Sequence, residues 1–209
     1  MLRAFLPMVR LTSTTPRPDH GPFIALKATI YKAAVQLADI DRELYGDHEL
    51  TLARHPSETD ERMLIRLLAF AMNVPTSDDQ ATFGFAKDMW DPDEPSLWEK
   101  DLTGQIQHWI EVGQPDERRM MQASSRCRRV SVYSFASSTA QWWSSVEPKL
   151  SRARNVTVWQ VPANQSQALA SLASRSMKLD VTVQDGAIWV GDGARSVEVS
   201  LHPLLRCSQ

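Results

Sequence analysis

Cysteine is scarce in this sequence, which also contains neither a long apolar run nor a large excess of one charge. The two cysteines, Cys127 and Cys207, are far apart and lack metal-ligand spacing, which excludes a disulfide framework and a zinc knuckle. We expect two free thiols in a reducing compartment. No apolar run approaches the ~20 residues that span a bilayer, so we expect no membrane segment. No nucleophile elbow, phosphate loop or dinucleotide fingerprint occurs.

The formal net charge is −2, which argues against a large nonspecific surface for polyanions but leaves room for a local basic patch. With 209 residues and 43% hydrophobic residues, the chain has the size and composition of one folded domain. Pro7 and Arg10 interrupt any signal-peptide core. We therefore expect a disordered tail at residues 1–24, a single domain at 25–202 and a short tail at 203–209.

Alternating apolar and polar residues predict that the domain opens with a β-hairpin. A strand runs from about Ala25 to Leu37, and Leu50–Leu52 is its short antiparallel partner. Ser57 is the predicted N-cap of the first helix, with Glu61 at the edge of its buried face. The apolar stripe of this helix comprises Met63, Leu64, Leu67, Leu68 and Ala71.

The strand Gln105–Val112 alternates cleanly between two faces. One face is apolar and carries His108, for which we expect a hydrogen-bonded core position. The other face is more polar and carries Glu111 near the strand end. Gly113 ends the strand, where we expect a positive φ, and Pro115 introduces a helix.

Short strands and helices follow one another through the rest of the chain. Further predicted strands are Thr82–Ala86, Leu97–Trp98, Val130–Tyr133, Val156–Val161, Leu179–Val183, Ala187–Val190 and Val197–Leu201. Predicted helices are Ser138–Leu150 and Gln165–Leu172. The alternation from residue 130 onward predicts βαβ units, and the Asp-Gly steps near the C-terminus predict tight hairpin turns. We therefore expect an α/β protein with a mixed β-sheet, about four flanking helices and a C-terminal β-meander.

Carboxylates provide the candidate chemistry. Asp93 and Glu94 lie in an acidic turn, Glu111 lies on the alternating strand, and Glu61 lies on the first helix. Mg²⁺ prefers a few such oxygens plus water, and it can orient a nucleophile and neutralise charge on a phosphoryl group. Acids also occupy turns and helix starts simply because they are solvated there, so the two interpretations carry similar weight.

Basic and aromatic residues in the middle of the chain allow a second kind of site. Trp142 and Trp143 lie near a series of arginines, and such a combination can bind phosphates and stack on bases. The arginines are Arg118, Arg119, Arg126, Arg128, Arg129, Arg152 and Arg154. Solubilising helical charges and a tryptophan pair in the core are the ordinary alternative, which we favour modestly.

Several ordered blocks of residues together resemble the YaeQ family of small bacterial proteins. The blocks are ALKATIYKA, LTLARHPSETDERM, RLLAFA, DEPSLWEKDLTGQIQHWIEVGQPDERR and TVQDGAIWVGDG, and they cover about residues 25–202. The resemblance implies a cytoplasmic protein whose fold is similar to the PD-(D/E)XK nucleases. It places the first acid of that motif at Asp93 or Glu94, the second at Glu111 and a helical glutamate at Glu61.

The resemblance leaves the motif lysine unmatched, because Gly113 stands at its position and Pro95 is followed by Ser96. Lys100, Arg119 or Lys149 are candidates to supply the missing positive charge. One hypothesis is therefore Mg²⁺-dependent cleavage of nucleic acid, with Asp93, Glu94 and Glu111 as metal ligands and Glu61 assisting. The alternative is a non-catalytic module that binds a nucleic acid or a regulatory protein.

If these acids converge without a cation, their mutual repulsion and desolvation should raise the pKa of at least one of them and create affinity for a divalent ion. The sequence hypothesis then predicts that Glu111→Gln leaves the fold at least as stable and abolishes any stabilisation by Mg²⁺.

Overall fold

The computed structural model describes residues 28–76, 82–86 and 94–207, which form eleven strands and four helices. The strands are β1 Thr29–Asp39, β2 Leu44–Arg54, β3 Thr82–Phe85, β4 Leu97–Lys100, β5 Ile106–Val112, β6 Arg129–Ser134, β7 Val156–Gln160, β8 Ser176–Gln184, β9 Ala187–Gly191, β10 Ser196–Ser200 and β11 His202–Leu205. The helices are α1 Asp60–Asn73, α2 Glu117–Arg126, α3 Thr139–Leu150 and α4 Ala163–Ala170. The expected mixed α/β class is confirmed.

The strands are divided between two mixed sheets. Sheet A has the order β10-β9-β8-β1-β2, and sheet B has the order β11-β7-β6-β5-β4-β3. The predicted βαβ units are confirmed, since β5, β6 and β7 are parallel and α2 and α3 connect them. Sheet A instead joins the two ends of the domain, because β8 pairs in parallel with β1. The sequence pattern predicted a single mixed sheet. The pairing of β1 with the distant β8 instead divides the strands between two sheets.

Helix α1 lies in the first core cluster together with residues of both sheets, and this explains its burial. Its predicted apolar stripe is buried, as are the residues between the stripe positions, including the charged Arg66. The predicted N-cap is wrong. Ser57 bonds to the ring of His55, whereas the side chain of Thr59 accepts a hydrogen bond from the Arg62 amide at 3.1 Å, and the helix begins at Asp60.

Strand β5 is buried on both faces. Ile110 and Val112 pack into the first cluster, while Trp109 packs into a second cluster beneath α2 and α3. Glu111 is therefore not on an exposed sheet face, because only 6% of its surface is accessible. Trp142 and Trp143 are partly buried and pack against the second cluster, in agreement with the expected contribution of this pair to the core.

The C-terminal segment contains a strand that the sequence pattern did not indicate. β11 crosses the expected boundary at residue 202 and pairs antiparallel with β7. Cys127 and Cys207 are free thiols, as expected. The expected N-terminal tail and its predicted boundary at residues 24 and 25 both lie outside the described residues. No helix in the described ranges is long and apolar enough to cross a membrane.

Gly113 confirms its predicted backbone role, with φ at +115° and its amide donating to the Tyr133 carbonyl at 2.9 Å. A Cβ atom here would meet nothing within 4 Å, so the penalty for substitution comes from the backbone. We expect Gly113→Lys to destabilise the fold by about 1–3 kcal/mol in chemical unfolding. Gly113→Ala should cost a similar amount. A Gly113→Lys protein of unchanged stability that gains Mg²⁺-dependent cleavage would contradict the backbone role.

Candidate functional site: an arginine-neutralised carboxylate and an arginine cleft

Glu111 lies at the end of β5 and is held by three neighbouring side chains. Its Oε1 accepts hydrogen bonds from Arg119 Nε at 2.5 Å and from Trp109 Nε1 at 3.0 Å. Its Oε2 faces the Ser96 hydroxyl at 3.5 Å. Burial raises the pKa of Glu111 above its ordinary value, and the Arg119 guanidinium offsets part of that rise. The direction of this shift agrees with the expected rise in the pKa of one acid, and of the two expected causes, desolvation and repulsion between acids, desolvation is the largest contribution.

A small cavity of about 30 Å³ adjoins Glu111. Glu94, Ser96, Arg62, Arg66 and Arg119 also line it. The structure thus brings together two of the four predicted acids, Glu94 and Glu111, but it surrounds them with guanidinium groups. Asp93 lies outside the described residues.

Glu61 does not line this cavity. Its Oε1 accepts a hydrogen bond at 2.5 Å from Ser166 on α4. On α1, Arg62 and Arg66 are the residues that line the cavity, because they lie one and five positions further along the helix. The predicted convergence of Glu61 with Glu111 is therefore wrong, since Glu61 instead links α1 to α4.

Glu58 is the acid that the sequence analysis missed. It precedes α1 and is buried, and its carboxylate pairs with Arg62 Nη1 and Arg66 Nε, both at 2.8 Å. Arg62 also donates to the Ser96 hydroxyl at 3.1 Å, which connects this pair to the surroundings of Glu111. The spacing of Glu58, Arg62 and Arg66 by four residues was the available signal, because Arg62 and Arg66 share one side of α1 and Glu58 lies immediately before its first turn.

Of the three candidates for the missing lysine, Arg119 is the one beside Glu111. Lys100 lies 3.7 Å from the Glu94 carboxylate and stacks on Trp98, while Lys149 pairs with Glu117 between α3 and α2. Arg119 also donates to the Glu94 backbone carbonyl at 2.6 Å. A guanidinium remains charged and can donate to two acceptors at once, so Arg119 holds the Glu111 carboxylate next to the Glu94 backbone.

The groups around Glu111 do not suit Mg²⁺. One carboxylate oxygen already accepts two hydrogen bonds, and three arginines line the cavity, so their charge opposes a divalent cation. Within the described ranges, no three His, Cys, Asp or Glu side chains are grouped to hold a metal ion. The donor set therefore fits an ion-pair network better than a metal centre.

A larger cleft of about 650 Å³, which we call the arginine cleft, lies between the two sheets. Neighbouring positions on β5, β6 and β7 line one side of it, with His108 beside Arg129, Ser131 beside Thr157 and Tyr133 beside Trp159. Further along these strands the same face carries apolar residues that pack into the first cluster. The face therefore changes from apolar core to polar cleft along the strands.

Five arginines and two aspartates line the arginine cleft. The arginines are Arg42, Arg128, Arg129, Arg154 and Arg206. Asp39 pairs with Arg42 at 2.6 Å, and Glu99 pairs with Arg129 at 2.8 Å. Arg128, Arg154 and Arg206 are exposed and form no salt bridge in the described part of the chain. Three positive charges of the cleft thus have no salt-bridge partner among the residues that the structure describes.

His108 has the predicted hydrogen-bonded core position. It is buried, and a ring nitrogen lies 2.9 Å from the Ser131 hydroxyl. Burial lowers the pKa of His108 to about 3, with Arg129 adding to the effect, so the ring is neutral near neutral pH. The positive charge of the cleft therefore comes from its arginines.

Together, the two-sheet fold, the ion-pair network around Glu111 and the arginine cleft define a small α/β protein with one closed and one open charged site. The chain belongs to the YaeQ family, whose model matches residues 24–201. It is 42% identical to the YaeQ proteins of Salmonella typhi and Escherichia coli K12 over 179 residues, which is 85% of this chain and 96% of each relative. The names of these relatives state no activity.

Two solved structures are similar to this fold. The YaeQ protein from Xanthomonas axonopodis pv. citri has a TM-score of 0.79 and 38% identity, covering 87% of this chain and 99% of its own. The YaeQ protein from Pseudomonas syringae also has a TM-score of 0.79, with 39% identity over 86% of this chain and 97% of its own. These similarities confirm the family that the sequence blocks indicated.

Proposed function

We propose that this protein is a non-catalytic module that binds nucleic acid through the arginine cleft. The observation that carries the proposal is the presence of Arg128, Arg154 and Arg206 in one cleft, none of them paired with a carboxylate within the described ranges. Phosphate groups supply the missing counterions, and the release of condensed cations from the nucleic acid drives binding. The guanidinium group matches the geometry of phosphate oxygens, which favours phosphate over a simple anion.

The overall charge of the chain is compatible with this function. The net charge is only −2, so the cleft is a local patch and not part of a wholly basic surface. We therefore expect moderate affinity and strong salt dependence. An acidic segment of a regulatory protein offers similar charge and is the alternative ligand, which a polyglutamate competitor distinguishes from nucleic acid.

The experiment measures binding of a short fluorescein-labelled oligonucleotide by fluorescence anisotropy over a range of salt concentrations. Replacing Arg128, Arg154 and Arg206 together with glutamine should reduce affinity about ten-fold or more at low salt and lower the salt slope by about two. The matched control replaces Lys32, Arg118 and Lys178, three exposed cations outside the cleft, with glutamine. Equal losses in both variants would refute a local site.

Mg²⁺-dependent cleavage is the second candidate, and it is favoured only by the position of Glu94 and Glu111 at one cavity. The nuclease-like fold that the resemblance implies belongs to the same hypothesis. Because Arg119 already neutralises Glu111, we expect millimolar MgCl₂ and MnCl₂ to leave the melting temperature of the protein unchanged. A rise that the Glu111→Gln variant lacks, together with cleavage of DNA or RNA, would support the metal centre and overturn the non-catalytic assignment.

A further inference from the structure

Trp159 is a half-buried aromatic residue in the arginine cleft. On the sheet face it lies beside Tyr133, which is 2% exposed and whose hydroxyl accepts a hydrogen bond from Asn73 at 2.7 Å. Tyr133 therefore belongs to the core, while part of the Trp159 surface is accessible from the cleft. Within the described residues, the indole N–H of Trp159 donates no hydrogen bond.

Trp159 and the arginines provide two complementary kinds of contact in one cleft. The indole offers a flat apolar surface, and Arg128, Arg154 and Arg206 offer charge. Proteins that bind single-stranded nucleic acid combine these contacts, because bases stack on aromatic rings while cations follow the backbone. Phosphate recognition by itself does not require the aromatic surface.

We propose that the arginine cleft binds an unpaired nucleotide, with its base against Trp159 and its phosphate among Arg128, Arg154 and Arg206. This inference rests on the proposed function and specifies its ligand. The bases of a duplex are stacked inside the helix, so only an unpaired base can enter a cleft between two sheets. The cleft volume of about 650 Å³ lies within the range of roughly 300–1,000 Å³ that is typical of small-ligand sites.

The test compares one oligonucleotide as a single strand and as a blunt duplex, each titrated at low salt against the wild type and Trp159→Leu. We expect the single strand to bind the wild type roughly ten-fold more tightly than the duplex, and Trp159→Leu to remove most of that difference. Trp159→Phe should retain much of it, because a phenyl ring still stacks. The matched control is Trp189→Leu, which replaces a half-buried strand tryptophan outside the cleft.

Competition distinguishes the source of the nucleotide. If AMP displaces the single strand more strongly than inorganic phosphate does, the site recognises a free nucleotide as well as a strand. If only oligonucleotides compete, and the preference for the single strand still depends on Trp159, the ligand is a strand. If AMP and inorganic phosphate both displace the single strand, and do so equally, the role of the base is overturned.

Failure of this inference differs from failure of the proposed function. If single strand and duplex bind equally, and Trp159→Leu changes neither affinity, then the base does not stack and only phosphate binding by the arginines remains. If the wild type binds neither form at low salt, the nucleic-acid-binding function itself is overturned, and the inference falls with it.

Discussion

Glu58→Gln should lower the free energy of unfolding by about 3–4 kcal/mol, the largest loss that we expect from a single side chain of this protein. The Glu58 carboxylate is buried and pairs with Arg62 and Arg66. Burial lowers the pKa of the Arg66 guanidinium, and Glu58 opposes that shift. A neutral amide would deprive the buried Arg66 guanidinium of the Glu58 charge and leave the repulsion between Arg62 and Arg66 uncompensated by Glu58. Urea unfolding followed by circular dichroism measures the loss.

The control for this prediction is Glu198→Gln, which makes the same chemical change at an exposed position of β10. We expect its unfolding free energy to stay within about 0.5 kcal/mol of the wild type. If Glu58→Gln behaves like Glu198→Gln, then Glu58 does not hold the two arginines in solution.

Arg119→Met should cost about 2–4 kcal/mol near neutral pH, because it leaves the buried Glu111 carboxylate without its cation. In the wild type, Arg119 offsets part of the rise that burial causes in the pKa of Glu111. Without Arg119, the pKa of Glu111 in the folded state lies further above its pKa in the unfolded state. A folded state that binds its proton more tightly loses stability as pH rises. The loss caused by Arg119→Met should therefore be larger at mildly alkaline pH than at mildly acidic pH.

Adding Glu111→Gln to Arg119→Met should recover part of this loss and remove its pH dependence, since a neutral amide needs no counterion. The matched control is Arg118→Met, which alters the preceding, exposed arginine of α2 and should change stability by less than about 0.5 kcal/mol. A pH-independent effect of Arg119→Met would mean that lost packing on Trp109, and not the ion pair, explains the change.

The acidic residues show why a candidate site is harder to predict than the elements that carry it. The positions of Glu61 on a helix and Glu111 on a strand followed from local periodicity. Their direction in space depends on neighbours that are distant in sequence. Ser166 of α4 binds Glu61, and Arg119 of α2 binds Glu111. Carboxylates that form a metal site in one packing arrangement thus become ion-pair partners in another.

The arginines of the cleft also show that the sequence gives the type of a residue but not its position in space. Arg128, Arg129 and Arg154 stood out in the sequence as a basic group, whereas Arg42 and Arg206 did not, because they lie far away along the chain. Parallel pairing of β6 with β7, and of β1 with β8, brings these segments to one cleft. Trp159 had no distinguishing local pattern, since it lies in an ordinary apolar strand.

The sequence by itself determined the family, the α/β class, the βαβ segments, the core role of His108 and the backbone role of Gly113. The family followed from ordered blocks along the chain and the βαβ segments from the succession of elements. The other features followed from residue type or from spacing within one element, where a period of two or of 3.6 residues specifies which face is buried. Only the tertiary structure decided the division into two sheets, the neutralisation of Glu111 and the presence of five arginines and Trp159 in one cleft. These features arise from contacts between elements that are distant in the chain, and a charged side chain acquires its chemical role from the charges and burial that such contacts create.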